Sequence, residues 1–532
     1  MSNPTPQGRS QMIRRAPHKT GRPWSPAALL VAITVLAAAA CSPGNTAAAK
    51  KDSIEYLSVV QADVPALDPA QGSTSGQTSG PLWIALYDTL VNITPDGQIE
   101  PRLANEVTSN DDATVWTVKL RPGLTFADDT PLDGEAVAAH WRRLAEPEVA
   151  SPAQGDAAAL KDIKVADDQT VVVTLDEADA HWPTRLASSA LALVPSPAAV
   201  KQHGKQYGTS PETTVGAGPF RVKSWQRDDR VVLVRNEDYW NSSQVALNEI
   251  VYRIMPDPSL RSKTFTSGTG DVNAVQTAGD DLVKLREEHD ETAWESVGGL
   301  SIAFNVRDGH PTSSRTLREA LVAAVDIEPT LQRAVPGAEP VRSLFVDSSP
   351  FSAPVEMPFG DKARAQELVD RYLAESGKSS VRLTWVVNQQ FSTFAQAFKQ
   401  EWDKIKGLDV RIEVVQSVLD RNRSRDFDLT MSGFGGGTPR VLVDLLLSTE
   451  KATNLTGISD SELDDALGRY LTADGRETER ASLEQVQKRL VAELPYLWAH
   501  RLIASYFARD GISGLKILTD GSLDFASLKA GA

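Results

Sequence analysis

The chain has 532 residues, 41% hydrophobic and 23% charged, an ordinary globular balance with length for two or three domains. Its 70 acidic against 55 basic residues give a formal charge of −15. That argues against nucleic acid as a partner, because such binding needs a net basic face. The single cysteine, Cys41, excludes an internal disulfide and any structural metal site built from several thiolates.

The first element is a leader. Residues 1–26 hold five basic side chains (Arg9, Arg14, Arg15, Lys19, Arg22) and no acidic one. The uncharged run "AALLVAITVLAAAA" follows, 14 residues long and so shorter than the roughly 20 that span a bilayer. A positive region, a short apolar run and small residues at the cut make residues 1–40 a secretory signal peptide. Without it 50 basic residues face 70 acidic ones, a balance near −20 that favours solubility. Ala38-Ala39-Ala40-Cys41 resembles the lipobox of bacterial lipoproteins, with Ala38 where that motif prefers Leu. The resemblance implies that Cys41 is lipidated and becomes the new N-terminus. Arg14-Arg15 lacks the hydrophobic residues that follow a twin-arginine motif, so export by the Sec route is expected. Residues 41–53 then read as a flexible tether of small and polar residues. With one cysteine in an exported chain, the fold cannot depend on disulfides.

Strand and helix signals alternate irregularly thereafter, as in a mixed α/β protein. "ATVWTVKL" alternates as a strand and "RPG" ends it. "TPLDGEAVAAHWRRL" reads as a helix with Asp133 as N-cap and Val137, Trp141 and Leu144 on one face. "DIKVADDQTVVVTL" and "GPFRVKSWQRDDRVVLVRN" each read as two strands about a polar turn. "SRTLREALVAAV" is helical, with Leu317, Ala320, Leu321 and Ala324 as its apolar stripe. "VRLTWVVN" and "LDVRIEVV" flank the helix "TFAQAFKQEWDKIK" as a βαβ unit, and "EQVQKRLVAEL" is a late helix closed by Pro495. Gly216 and Gly218 allow a tight bend before a strand, with Pro219 fixing the exit. Tyr239, Trp240, Trp116 and Trp141 are expected in the core.

In their order and spacing these pieces resemble a family of known proteins. "ALDPA", "LYDTLVNITPDGQIEPRLANEVT", "VWTVKLRPGLTFADDTPLDGEAVAAHWRRL", "GAGPFRVKSW", "NEDYW" and "IAFNVRDGHPTSSRTLREALVAAVD" together are similar to the family 5 extracellular solute-binding proteins, the substrate-capturing lipoproteins of peptide and nickel ABC importers. The resemblance runs from about Ile54 to the C-terminus. It implies an α/β, two-lobed periplasmic-binding-protein-like fold of peptide-binding type, with an extra domain in the first lobe. Lobe 1 would hold 54–88, 210–305 and 501–532, the extra domain 89–209 and lobe 2 306–500. The implied cleft draws on the "QGSTSGQ" loop with Ser75 and Gln77, on Asn305 from the crossing strand, and on Phe434 with Gly435, Gly436 and Gly437.

Catalytic motifs fail one by one. "GSTSG" and "GQTSG" put Thr74 and Thr78 where a nucleophile elbow needs serine, and read as a flexible polar loop. "SGLK" is a chance-length match in a strand-like tail, and "GFGGGT" ends in Thr438 where a dinucleotide loop has glycine. No Walker A loop and no His-Glu-x-x-His occurs, so no enzyme is expected. The seven histidines (18, 140, 181, 203, 289, 310 and 500) show no ligand-like spacing, and neither metal nor other cofactor is expected. "DFDLTMSGFGGGTPR" departs from relatives that take peptides. They carry an aspartate after the glycine-aromatic step, which meets the peptide's ammonium; here three glycines stand there, unless Asp428 or Asp444 takes over. Glycine N–H groups would suit carbonyl or anionic groups instead.

The expected function is a monomeric, lipid-anchored binding protein on the outer face of the cytoplasmic membrane. It would capture a peptide or similar small polar solute by lobe closure and deliver it to an ABC permease. The rival reading is a non-transport lipoprotein on the same fold, acting through a protein partner in envelope synthesis or signalling.

Overall fold

Alternation along Val115–Leu120 points Trp116, Val118 and Leu120 inward and makes this strand the second of an antiparallel sheet. The sheet runs Ala104–Ser109, Val115–Leu120, Thr170–Leu175, Leu160–Asp167, the last two being the expected hairpin. Helix Gly134–Ala145 begins where Asp133 accepts the Ala136 N–H at 2.9 Å, and it buries Val137, Trp141 and Leu144 on the sheet. These observations come from a computed structural model, which describes residues 52–58, 66–72, 79–94, 98–276, 278–434, 436–446, 454–518 and 521–531. The expected leader, the lipobox with Cys41 and nearly all of the tether lie outside the described residues.

A second sheet has seven strands in the order Glu291–Glu295, Ile503–Ala508, Val272–Val275, Ser53–Ser58, Glu249–Ile254, Arg230–Arg235, Phe220–Gln226. Ser53–Ser58 lies parallel to both neighbours, so segments about 200 residues apart in sequence share one sheet. Gly216 and Gly218 lead into its edge strand, and close approach rather than a special backbone angle explains them. A Cβ at Gly216 would lie 2.2 Å from the Leu86 carbonyl oxygen, and one at Gly218 2.4 Å from that of Ala85.

The third sheet has five strands in the order Leu408–Val415, Val381–Asn388, Leu429–Phe434, Gly299–Phe304, Tyr496–His500. The βαβ reading holds: Val381–Asn388 and Leu408–Val415 are parallel and joined through helix Ser392–Trp402. Trp385 meets Trp402 edge-on at 5.3 Å, and Trp402 donates its indole N–H to the Leu321 carbonyl at 2.8 Å. Tryptophan burial is as expected for Trp116 and Trp141, and Tyr239 is also buried; Trp240 remains 36% exposed.

Two neighbouring segments carry the chain between the seven- and five-stranded sheets. One passes from Glu295 to Gly299, the other from His500 to Ile503. Strand Gly299–Phe304 therefore belongs with the five-stranded sheet, and the chain enters it before residue 306. The reason is pairing: Gly299–Phe304 is hydrogen-bonded to strands on both sides there. At the crossing, Arg501 is buried and gives its guanidinium to the carbonyls of Leu344 (2.8 Å) and Ser343 (2.9 Å). Gly299, at φ +105°, has no room for a side chain, since a Cβ would lie 2.3 Å from the His500 carbonyl oxygen. Among the described residues no helix is long and apolar enough to cross a membrane.

Candidate functional site

The seven-stranded sheet, the helices of the four-stranded domain and helix Arg440–Leu446 all send residues to the loop Gly436–Thr438, which follows strand Leu429–Phe434 of the five-stranded sheet. Its position is set by Val297, whose N–H donates to the Gly436 carbonyl at 2.9 Å. Three cavities meet at Gly437. The largest, about 450 Å³, lies between Trp294 and Glu295 on the seven-stranded sheet and the Phe345–Pro350 turn. The next, about 330 Å³, is polar: Asp156, Arg185 and Ser188 come from the four-stranded domain, and Arg440 and Asp444 from helix Arg440–Leu446. The third is small, about 50 Å³, beside His181, Phe351 and Arg476. A fourth cavity of about 360 Å³, against Arg102 and Trp240, shares no lining residue with these. Sites of ligand size commonly form where domains meet, as at Gly437.

The chemistry of the cleft is charged and donor-rich. The N–H groups of Gly437 and Thr438 have no hydrogen-bond partner among the described residues. Burial pushes the carboxyls of Asp156, Asp179 and Glu295 above the usual carboxylate range. Arg440 is 6% exposed; its Nη2 lies 3.3 Å from Asp179 and 3.5 Å from Asp444, while its Nε and Nη1 lack acceptors. Among the described residues no group of three or more His, Cys, Asp or Glu side chains is placed to hold a metal ion.

The expected site residues fare unequally. Gly436 and Gly437 border the cleft. Phe434 is the last residue of its strand, pairing with Gly299. Ser75, Gln77 and Gly435 lie outside the described residues, as does Cys41. Asn305 is corrected: it is fully buried, and its amide N–H₂ donates to the carbonyls of Arg425 and Phe427, both at 3.0 Å. Its hydrogen-bonding capacity is spent on holding the chain, so it presents nothing to a ligand. Of the two candidate acids, Asp428 is engaged by the Thr384 N–H (2.8 Å) and His310 (2.9 Å), whereas Asp444 borders the cleft. Sequence reasoning missed Asp156, Arg185, Glu295 and Arg440. Nothing local marks them; they meet only through the fold.

Three sheets, two crossing segments and a cleft between them define a two-lobed α/β binding protein of periplasmic type, with an extra domain in its first lobe. Over residues 98–454 the chain matches the model of the bacterial extracellular solute-binding proteins, family 5. The chain belongs to that family. It is 24% identical to the periplasmic murein peptide-binding protein MppA of Escherichia coli over 500 residues, covering 88% of this chain and 91% of that one. It is also 24% identical to the periplasmic oligopeptide-binding protein OppA of Escherichia coli over 436 residues, 76% and 79% of the two chains. The solved structure of the Escherichia coli murein tripeptide binding protein MppA superposes with a TM-score of 0.72 at 20% identity, covering 91% and 99%.

Proposed function

We propose that this protein is the substrate-capturing component of an ABC importer, and that it takes a peptide or similar small polar solute between its lobes without covalent chemistry. The observation that carries this reading is the convergence at Gly437, where the loop after strand Leu429–Phe434 meets the edge strand Glu291–Glu295 and the helices of the four-stranded domain around cavities of ligand size, beside backbone N–H groups without a partner among the described residues. The two peptide-binding relatives support the ligand class. Gly435, and Ser75 and Gln77 from the preceding polar loop, complete the ligand surface in this reading.

The ligand's free ammonium is not the main anchor. Asp444 sits 3.4 Å from Arg185 and 3.5 Å from Arg440, so its charge is already answered by two guanidinium groups. A bare carboxylate hydrogen-bonded to an ammonium would contribute roughly 1.5–3 kcal/mol, or about 10- to 100-fold in affinity. Calorimetry with matched free and N-acetylated peptides is therefore expected to show less than about a tenfold loss on acetylation. A loss near a hundredfold would instead assign the ammonium to Asp444 or Asp156.

In the same reading the mature protein is tethered by lipid on Cys41, on the outer face of the cytoplasmic membrane. One acyl chain holds a protein only marginally, so at least two are needed for stable anchoring. Wild-type protein should fractionate with membranes, and Cys41→Ala should appear in the soluble fraction or as unprocessed precursor. Recovery of wild-type protein with an unmodified Cys41 terminus counts against the anchor.

A further inference from the structure

We propose that the segment Asp179–Arg185 of the four-stranded domain, set against helices Arg440–Leu446 and Ser461–Leu471, is a closing latch. These contacts hold the cleft shut whatever it contains, so they govern how long a ligand stays rather than which ligand enters. The proposal rests on reading the Gly437 cleft as the ligand site.

The contacts are of three kinds. The Ala180 N–H donates to the Leu471 carbonyl at 2.7 Å, a backbone bond across the gap. The His181 ring stacks on Tyr470, with centroids 4.1 Å apart and planes within 5°, and its Nε2 lies 2.8 Å from the Tyr470 carbonyl oxygen. Five charges then alternate in sign across the joint. Asp156 lies 3.8 Å from Arg185, Arg185 3.4 Å from Asp444, Asp444 3.5 Å from Arg440, and Arg440 3.3 Å from Asp179. Asp156, Arg185 and Asp179 belong to one side, Asp444 and Arg440 to the other.

The first side is rigidly based. Trp182, inside the segment, is buried against Trp116 at 5.7 Å and Trp141 at 6.0 Å, in the core of its own domain. A segment fixed to one body and bonded to another resists their separation. Opening would hydrate all five charges, whereas closing leaves each dependent on its neighbours. The latch is also releasable. Arg440 Nε and Nη1, Arg185 Nε and Trp182 Nε1 are buried without hydrogen-bond partners, which offsets much of what the ion pairs contribute.

The test separates the latch from the ligand reading. Spin labels at Lys164→Cys and Lys488→Cys, both exposed and on opposite bodies, report the closed-to-open ratio in ligand-free protein. That ratio should fall about tenfold in Arg440→Gln, with the same direction in Asp444→Asn, whose side chain is half-exposed and easily replaced. The Asp179→Asn/Arg440→Gln double variant should lose little more than either single one. With Ala-Ala-Ala and its N-acetyl form as probes, Arg440→Gln should raise the dissociation rate of both by the same factor. Unchanged label distances in both single variants overturn the latch, whether or not either probe binds. A loss confined to one probe also overturns it, by making Arg440 a ligand contact. If neither probe binds wild-type protein, the labels alone decide the latch, and the peptide reading of the cleft is what fails.

Discussion

Asp88→Ala is expected to lower the unfolding free energy by about 3–5 kcal/mol, read as a fall in the denaturant midpoint. Asp88 is fully buried and accepts from four donors: Arg102 Nε, the Tyr239 hydroxyl at 2.8 Å, Trp240 Nε1 at 3.0 Å and the Thr89 N–H at 2.7 Å. Arg102 also pairs with Asp524 of the C-terminal tail at 2.8 Å. Burial by itself would depress the Arg102 guanidinium, but Asp524 and Asp88 outweigh it and hold it charged. Alanine would leave that cation with one partner and take the acceptor from two aromatic donors. It would also have to adopt φ 56°, where Asp and Asn are tolerated better. Asp88→Asn keeps the shape and the backbone tolerance, so the difference between the two variants isolates what alanine adds. A midpoint shift below that of an average surface substitution for both would mean that Arg102 and Asp524 suffice alone.

Acid should weaken the protein through His140, by about 3 kcal/mol between pH 6.5 and 4. The imidazole is buried beneath Ala190, with Nε2 2.8 Å from the carbonyl oxygen of that residue and Nδ1 unpartnered. Burial outweighs that hydrogen bond and lowers its pKa to about 4. As pH falls through 6.5 the unfolded chain takes up a proton that the folded one refuses until about pH 4. The stabilisation is therefore complete above pH 6.5 and is lost progressively down to about pH 4. His140→Gln keeps an N–H donor for the Ala190 carbonyl but cannot titrate. Urea midpoints at pH 7, 5.5 and 4 should show a flatter decline for the variant, by about 3 kcal/mol across the window. The raised carboxyls of Asp156, Asp179 and Glu295 act in the opposite direction, so the difference between the two proteins carries the answer. Parallel declines would show that the folded protein accommodates a charged His140.

What the amino-acid sequence determined by itself is the part written between near neighbours. The alternation of Trp116, Val118 and Leu120, the Asp133 cap three residues before its N–H donor, and the apolar stripe of Leu317, Ala320 and Leu321 depend on contacts two to four residues apart. Those intervals are set by strand and helix geometry, so they can be read without knowing the fold. The order of such pieces also sufficed to name the family. The tertiary structure alone decided which residues share a space. Asn305 stands at the end of a strand that sequence places at the cleft, yet packing turns its amide to the Arg425 and Phe427 carbonyls. Glu295 belongs to one sheet and Gly299 to another, a switch that follows from which strands are free to pair. Asp156, Arg185, Arg440 and Asp444 span nearly 300 residues and carry no common motif. Their joint environment depends on burial and on distances between bodies, which are properties of the assembled cores rather than of any local run of side chains.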